Sequence, residues 1–153
     1  YRHPLVVWGN QSNFDDLEKI STDLTNRFFD INRVCLLLEH AEIVSVHAFQ
    51  AKLTRKRVKL LQKLDYIVMK FVKKHKLMRQ MWQFPSVLIP VEINGKKCDA
   101  LVLRPVCSLE AMTAQFYKMD VKLMKDLAAK LTEYVSAVLY DITNKPPATI
   151  EWE

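Results

Sequence analysis

The sequence predicts an α+β domain, a mainly antiparallel sheet with helices packed on one face. Three observations point there. Short apolar runs alternate with longer stretches whose apolar residues recur at steps of three and four, as strands between amphipathic helices do. Two apolar runs flank Asn94-Gly95, the strongest short hairpin signal. A helix-then-strand order occurs twice, in residues 14–38 and 121–142, which suggests two related half-repeats.

In order along the chain, Leu5-Val6-Val7-Trp8 reads as a strand (5–8) stopped by Gly9-Asn10. Phe14, Leu17, Ile20, Leu24 and Phe28 mark one face of a helix, with Asn13 as its cap and Asp15 and Asp16 in the first turn, where the helix dipole favours acids. The run Val34–Leu38 places a buried strand over 33–39. Residues 40–53 have weak periodicity and read as a linker or an extended edge. From Thr54 the pattern is helical again: Val58, Leu61, Leu64, Ile67 or Val68, and Phe71 form the apolar stripe, opposite a set of lysines and arginines. Strands over 86–94 and 97–107 flank the hairpin turn, and Ser108–Ala111 starts a short helical turn. Asp120 caps a third helix through Leu123, Met124, Leu127, Leu131 and Tyr134, and residues 137–142 form the last strand. Pro146 and Pro147 exclude the tail from a sheet interior. The divisions are a first half-repeat (1–39), a linker and basic helix (40–82), and a second half-repeat (83–153).

A chain of 153 residues can bury a core, and half of them are hydrophobic. Charges interrupt every apolar run before the ~20 residues a membrane helix needs, so no membrane partner is expected. Tyr1-Arg2-His3-Pro4 lacks the layout of a signal peptide and reads as the middle of a longer chain. Cys35, Cys98 and Cys107 are too few and wrongly spaced for a disulfide framework, so buried free thiols and a cytoplasmic setting are expected. The net charge of +6 gathers on the helix after Thr54. A solvated face is the expected reading. Nucleic acid is not an expected partner, because no aromatic interleaves with the cations on that face. His3, His40, His47 and His75 show no ligand spacing. The only glycines, Gly9 and Gly95, cannot build a phosphate-cradling loop, and no cysteine elbow with matching His and Glu is present. Alone, the chain is expected to be inactive.

The tail Lys145-Pro146-Pro147-Ala148-Thr149-Ile150-Glu151-Trp152-Glu153 resembles the extreme C-terminus of GMP synthases almost letter for letter. Tyr140–Thr143, Arg104-Pro105-Val106, Ala111–Ala114 and Trp82–Pro90 fit the same family, as do Tyr1–Pro4 and Ile31–Val34 in forms where the region is duplicated. The resemblance implies binding of xanthosine monophosphate (XMP) and a part in dimerisation. The full enzyme it implies uses ATP and Mg²⁺, with no cofactor in this fragment, and aminates XMP with ammonia drawn from glutamine. The implied partners are XMP, the ATP-pyrophosphatase domain (in the same chain or a separate subunit), and a second copy of the chain. The implied substrate-binding residues are Arg33, Gln83, Lys145, Thr149, Ile150 and Glu151. Lys145 would offer the phosphate a point charge and Arg33 a bidentate fork. Thr149 would supply a hydroxyl and Ile150 a backbone N–H, while Glu151 would accept from the xanthine ring. The double proline stiffens the approach, and the tail is expected to be mobile without nucleotide. Where the family carries an arginine before its last strand, this chain has Ala137, while Arg33 keeps an arginine at the matching place in the first half. That complementary loss suggests an internal pseudo-dimer. The alternative is an oligomerisation or polyanion-binding module that has lost nucleotide binding.

Overall fold

The structure, a computed structural model, describes residues 2–9, 13–38, 42–110 and 112–152. The first strand, β1 (His3–Val7), leads through helix α1 (Phe14–Arg27) into β2 (Ile31–Leu37). After a short β3 (Val46–Ala48) comes the long helix α2 (Arg55–Lys74). Strands β4 (Ser86–Ile89), β5 (Val91–Ile93), β6 (Ala100–Leu103), β7 (Val106–Cys107) and β8 (Gln115–Phe116) follow, then α3 (Val121–Leu131) and β9 (Val138–Asp141).

Among the described residues, the main sheet has the order β1-β2-β9-β6-β4. It is mixed rather than mainly antiparallel: β1–β2 and β6–β9 run parallel, while β2–β9 and β4–β6 are antiparallel. The reason is connectivity. A strand that crosses over through a helix on one face returns parallel to its start, and α1 and α3 are both such crossovers.

All three helices cover one face, as expected. Leu64, Val68, Phe71 and Val72 of α2 and Met124, Leu127, Ala128 and Leu131 of α3 are buried there with Leu17 of α1. They pack on Val34, Leu36, Leu103, Val138 and Tyr140 of the sheet. Each fully buried leucine in that layer contributes about 1.5–3 kcal/mol. The alternate sheet residues, Cys35, Leu37, Val102 and Leu139, point to the other face, where Ile93, Val91 and Ile43 cover them. The expected caps form. Asn13 accepts from the Asp15 amide at 2.9 Å and Asp120 from that of Leu123 at 3.0 Å; in addition, with no cap expected there, Thr54 caps α2 by accepting from the Arg57 amide.

Asn94-Gly95 makes the expected turn, with φ of 54° and 73° and an antiparallel bridge from Ile93 to Lys96. Its flanking strands are shorter than expected. Pro90 lacks the donor to extend β4, so β5 turns away and pairs with β3 instead. The second run begins only at Ala100 and breaks at Arg104-Pro105, ahead of β7. The segment expected as a linker or an extended edge therefore contains a strand, and the Asn94 side chain holds it by accepting from the Val44 and Ser45 amides and donating to the Glu42 carbonyl. Residues 109–110 bend without forming the expected helical turn; Ala111, like the end of the expected 33–39 strand, lies outside the described residues. Helix α3 stops at Leu131, so Tyr134 sits in the turn beyond it. The three cysteines are free, Cys35 buried and Cys98 and Cys107 half-buried.

One register recurs. In the first unit Leu5, Val6 and Val7 pair with Val34, Cys35 and Leu36; in the second, Leu101, Val102 and Leu103 pair with Val138, Leu139 and Tyr140. Between the units, Cys35 opposes Asp141, Leu36 opposes Tyr140, and Leu37 opposes Leu139.

Candidate functional site

The ends of three adjacent strands bring together the charged groups of the site. Arg33 enters β2 at the sheet end where β9 finishes with Asp141, and Arg104 directly follows β6. All three side chains are buried, at 2 % exposure or less. One Asp141 oxygen lies 3.0 Å from each guanidinium and also accepts from the Trp152 indole N–H at 2.8 Å. The other oxygen accepts from the Thr143 amide at 3.0 Å. Burial, helped by the neighbouring Arg33 charge, pulls the Arg104 guanidinium below its ordinary value, and the Asp141 carboxylate opposes but does not cancel that.

Most of the remaining donors of the two arginines go to the tail, while the buried Arg33 Nε has no hydrogen-bond partner among the described residues. Arg33 donates to the Thr149 hydroxyl at 2.7 Å and to the carbonyls of Thr149 and Glu151. Arg104 donates to the carbonyls of Thr149 at 2.7 Å, Ile150 at 3.2 Å and Thr143 at 3.0 Å. Trp152 lies under Arg33, the guanidinium carbon 5.1 Å from the ring centroid. Ala148 and Ile150 are buried. The tail, expected to be loose, is thus fastened to the body by charge-assisted hydrogen bonds to three successive carbonyls. With those carbonyls turned inward, the amides of Thr149, Ile150 and Glu151 make no hydrogen bond among the described residues.

The root of the tail is fastened separately. Lys145 and Ala114 exchange backbone hydrogen bonds of 2.7 and 3.2 Å. Beside them the Asn144 side chain accepts from the Phe116 amide and donates to Glu18 of α1 at 2.7 Å. Lys118 bridges Asp15 and Glu18, and its hydrogen bond is the largest influence holding the Glu18 carboxyl below its ordinary range, with Asn144 next. This root forms one wall of an open cleft of about 890 Å³ whose other walls include Gln80, Trp82, Cys107 and Gln115.

Of the six residues expected at the site, Arg33, Thr149, Ile150 and Glu151 meet at the arginine cluster. Lys145 lines the cleft a few residues upstream. Gln83 is exposed and pairs through its backbone with Val106, outside the cleft lining. Arg33 faces the tail and Asp141 rather than open solvent. Asp141, Arg104, Trp152, Asn144 and Glu18 were not among the expected residues. The signal for the first two was present, because each is a charge set against an otherwise apolar strand, in Leu101–Arg104 and Val138–Asp141.

The sequence profile described as GMP synthase C terminal domain matches residues 70–152. A probable glutamine-hydrolysing GMP synthase of Leptospira interrogans is 35 % identical over the whole chain, which spans 26 % of that protein. The GMP synthases of Thermotoga petrophila and Brachyspira hyodysenteriae are 37 % and 39 % identical over 67 % and 66 % of the chain, covering 22 % and 21 % of theirs. The chain thus spans about a quarter of the length of the curated relatives it matches. With more than half of its residues inside the matched profile, the chain belongs to the GMP synthase C-terminal domain family.

Proposed function

We propose that this chain is the substrate-binding and dimerisation region of a glutamine-hydrolysing GMP synthase, a ligase of purine biosynthesis acting in the cytoplasm. Its task is to hold XMP while an ATP-pyrophosphatase domain activates the base and ammonia from glutamine displaces the adenylate. ATP and Mg²⁺ belong to that other domain. The observation that carries this reading is the fastened tail, with its carbonyls committed to Arg33 and Arg104 and its amides turned away from them. A peptide so held offers N–H donors and the exposed Glu151 side chain to a nucleotide, and the Thr149 hydroxyl, which accepts from Arg33 and donates to the Glu151 carbonyl, would join them only by exchanging those bonds. Lys145, on the wall of the cleft, supplies positive charge for a phosphate dianion. Ile150 contributes its amide, Glu151 reads the xanthine ring N–H groups, and Gln83 reaches in from the start of the hairpin. Arg33 serves the same site from the first half of the chain through the tail it grips.

The half-repeat reading is part of this proposal. Strand–helix–strand units stand on either side of the β2–β9 pair with matching registers, and residue i of β2 corresponds to residue i+104 of β9 throughout. In that correspondence Arg33 matches Ala137. The pseudo-dimer then places the first half where a partner subunit would otherwise lie, and a true homodimer would need another surface.

Calorimetric titration with XMP, beside GMP and AMP, tests the reading. XMP should bind at least about tenfold more tightly than AMP, and Lys145→Ala should weaken it by about 10- to 100-fold, the worth of a hydrogen bond to a charged group. Binding restored only when the ATP-pyrophosphatase domain is present would place the site between the two. Absence of XMP binding in both forms would leave the oligomerisation or polyanion-binding reading.

A further inference from the structure

The basic face of α2 lies outside the site just described. At 100° per residue, Arg55, Lys56, Lys59, Lys63, Lys70, Lys73 and Lys74 fall within an arc of about 100°. All seven are exposed, and α2, at 20 residues, is about 30 Å long. No acid stands in the arc; Asp65, the one acid of α2, lies on another side. Subtracting the seven cations from the net charge of +6 leaves the rest of the chain at −1, so the excess charge sits here. The stripe works against the helix, because like charges four apart, as in Arg55/Lys59, Lys59/Lys63 and Lys70/Lys74, repel. Among the described residues none of the seven makes a salt bridge; Arg57, which pairs with Asp99, is on the helix flank. Lys63 lies 3.9 Å from the centroid of the Tyr134 ring, a cation–π contact, but no carboxylate among the described residues neutralises any of the seven, so the cluster keeps its net positive charge.

An aromatic stands in the stripe as well. Tyr66 lies 20° from Arg55 on the helical wheel, between Lys63 and Lys70 along the axis, and is 66 % exposed. The sequence-based expectation that no aromatic interleaves with these cations was mistaken, because Tyr66 does not join the apolar stripe. Cations tracking a backbone around an aromatic platform are what single-stranded nucleic acid binds: phosphates take the charge and any base can stack on the ring.

We propose that the exposed face of α2 binds single-stranded nucleic acid through these cations and Tyr66, independently of the nucleotide site. The surface is sequence-tolerant, since no fixed hydrogen-bonding group accompanies the ring. The test is fluorescence anisotropy of a labelled RNA oligonucleotide of about 12 residues, within the usual site sizes, with a DNA strand of the same sequence and the matching duplex as further arms. Single strands should bind with affinity falling steeply in salt, each neutralised phosphate adding about −0.7 to the log–log slope. Joint substitution Lys59→Gln, Lys63→Gln and Lys70→Gln should flatten that slope by about 2 and weaken binding at least about 100-fold at low salt. Tyr66→Ala should weaken binding by about tenfold and leave the slope unchanged. These positions are on the surface, so circular dichroism and XMP titration should be unaltered. Equal binding by Tyr66→Ala and the parent, preference for the duplex, or binding that survives the triple substitution would each overturn the proposal. Preference for RNA or DNA among the single strands would name the biological source.

Discussion

Replacing Asp141 by asparagine removes the negative charge between two buried guanidiniums while keeping nearly the same shape. Arg33 and Arg104 are 2 % and 0 % exposed, and both lie 3.0 Å from one Asp141 oxygen. Neither can reach solvent without opening the sheet end. Removing one partner of a buried ionic cluster typically costs about 3–5 kcal/mol, because the remaining charge is left uncompensated. Here two are left, so the upper part of that range is expected, against a total stability of about 5–15 kcal/mol for such a domain. Arg33→Met should cost less, because it leaves Asp141 matched one-to-one with Arg104 and still accepting from Trp152. Urea denaturation followed by tryptophan fluorescence reads both, and Trp152 reports on the tail directly. Since the cluster is shielded from solvent, the loss should change little between low and high salt. A cost below about 1 kcal/mol for Asp141→Asn, or a larger cost for Arg33→Met than for Asp141→Asn, would refute the assignment of Asp141 as the hub.

Gly95 has φ of +73° and open space where a Cβ would project, so Gly95→Ala should cost about 1 kcal/mol from the backbone alone and leave the fold intact by chemical denaturation. Glu18 has a carboxyl held low by Lys118 and Asn144, so it binds fewer protons folded than unfolded. Its stabilisation is present above the ordinary value of 4.5 and fades as the pH falls through the lowered folded value. Glu18→Gln should therefore flatten the acid side of the stability profile below about pH 5, measured as melting temperature against pH, while a parallel curve would argue against the network.

How much of this was legible in the sequence depended on whether the determinant was local. The three helices followed from periodicity, and two of their caps from Asn13 and Asp120, each of which acts within one turn; the Thr54 cap of α2 was equally local but was not anticipated. The Asn94-Gly95 turn followed for the same reason. Strand pairing did not. Pro90 was in plain view, but that the chain beyond it leaves β4 and β6 to find β3 depends on residues more than forty positions away. The parallel pairs were implied by the strand–helix–strand order and were missed by weighting the hairpin too heavily. Thr149, Ile150 and Glu151 were expected at the site through likeness of the tail motif alone; nothing local shows that Arg33, 116 positions upstream, holds the Thr149 side chain.

The half-repeat correspondence proposed above explains why the charged cluster occurs once. Position for position, Arg33 corresponds to Ala137, Asp141 to Leu37, and Arg104 to Trp8. At the counterpart end of the sheet Ala137 and Leu37 are buried among Ile93, Val91 and Ile43, so apolar packing beneath the β3–β5 ribbon stands where the other end has ions. On that proposal the two halves share the apolar register that closes the sheet, because β2 and β9 pack into the same two cores. Only the end groups are free to diverge. A charged cluster is tolerable where a tail supplies carbonyls for every guanidinium, and the first half leads into the ribbon rather than into such a tail. An arginine restored at Ala137 would be buried without partners, so Ala137→Arg should destabilise the chain rather than create a second site.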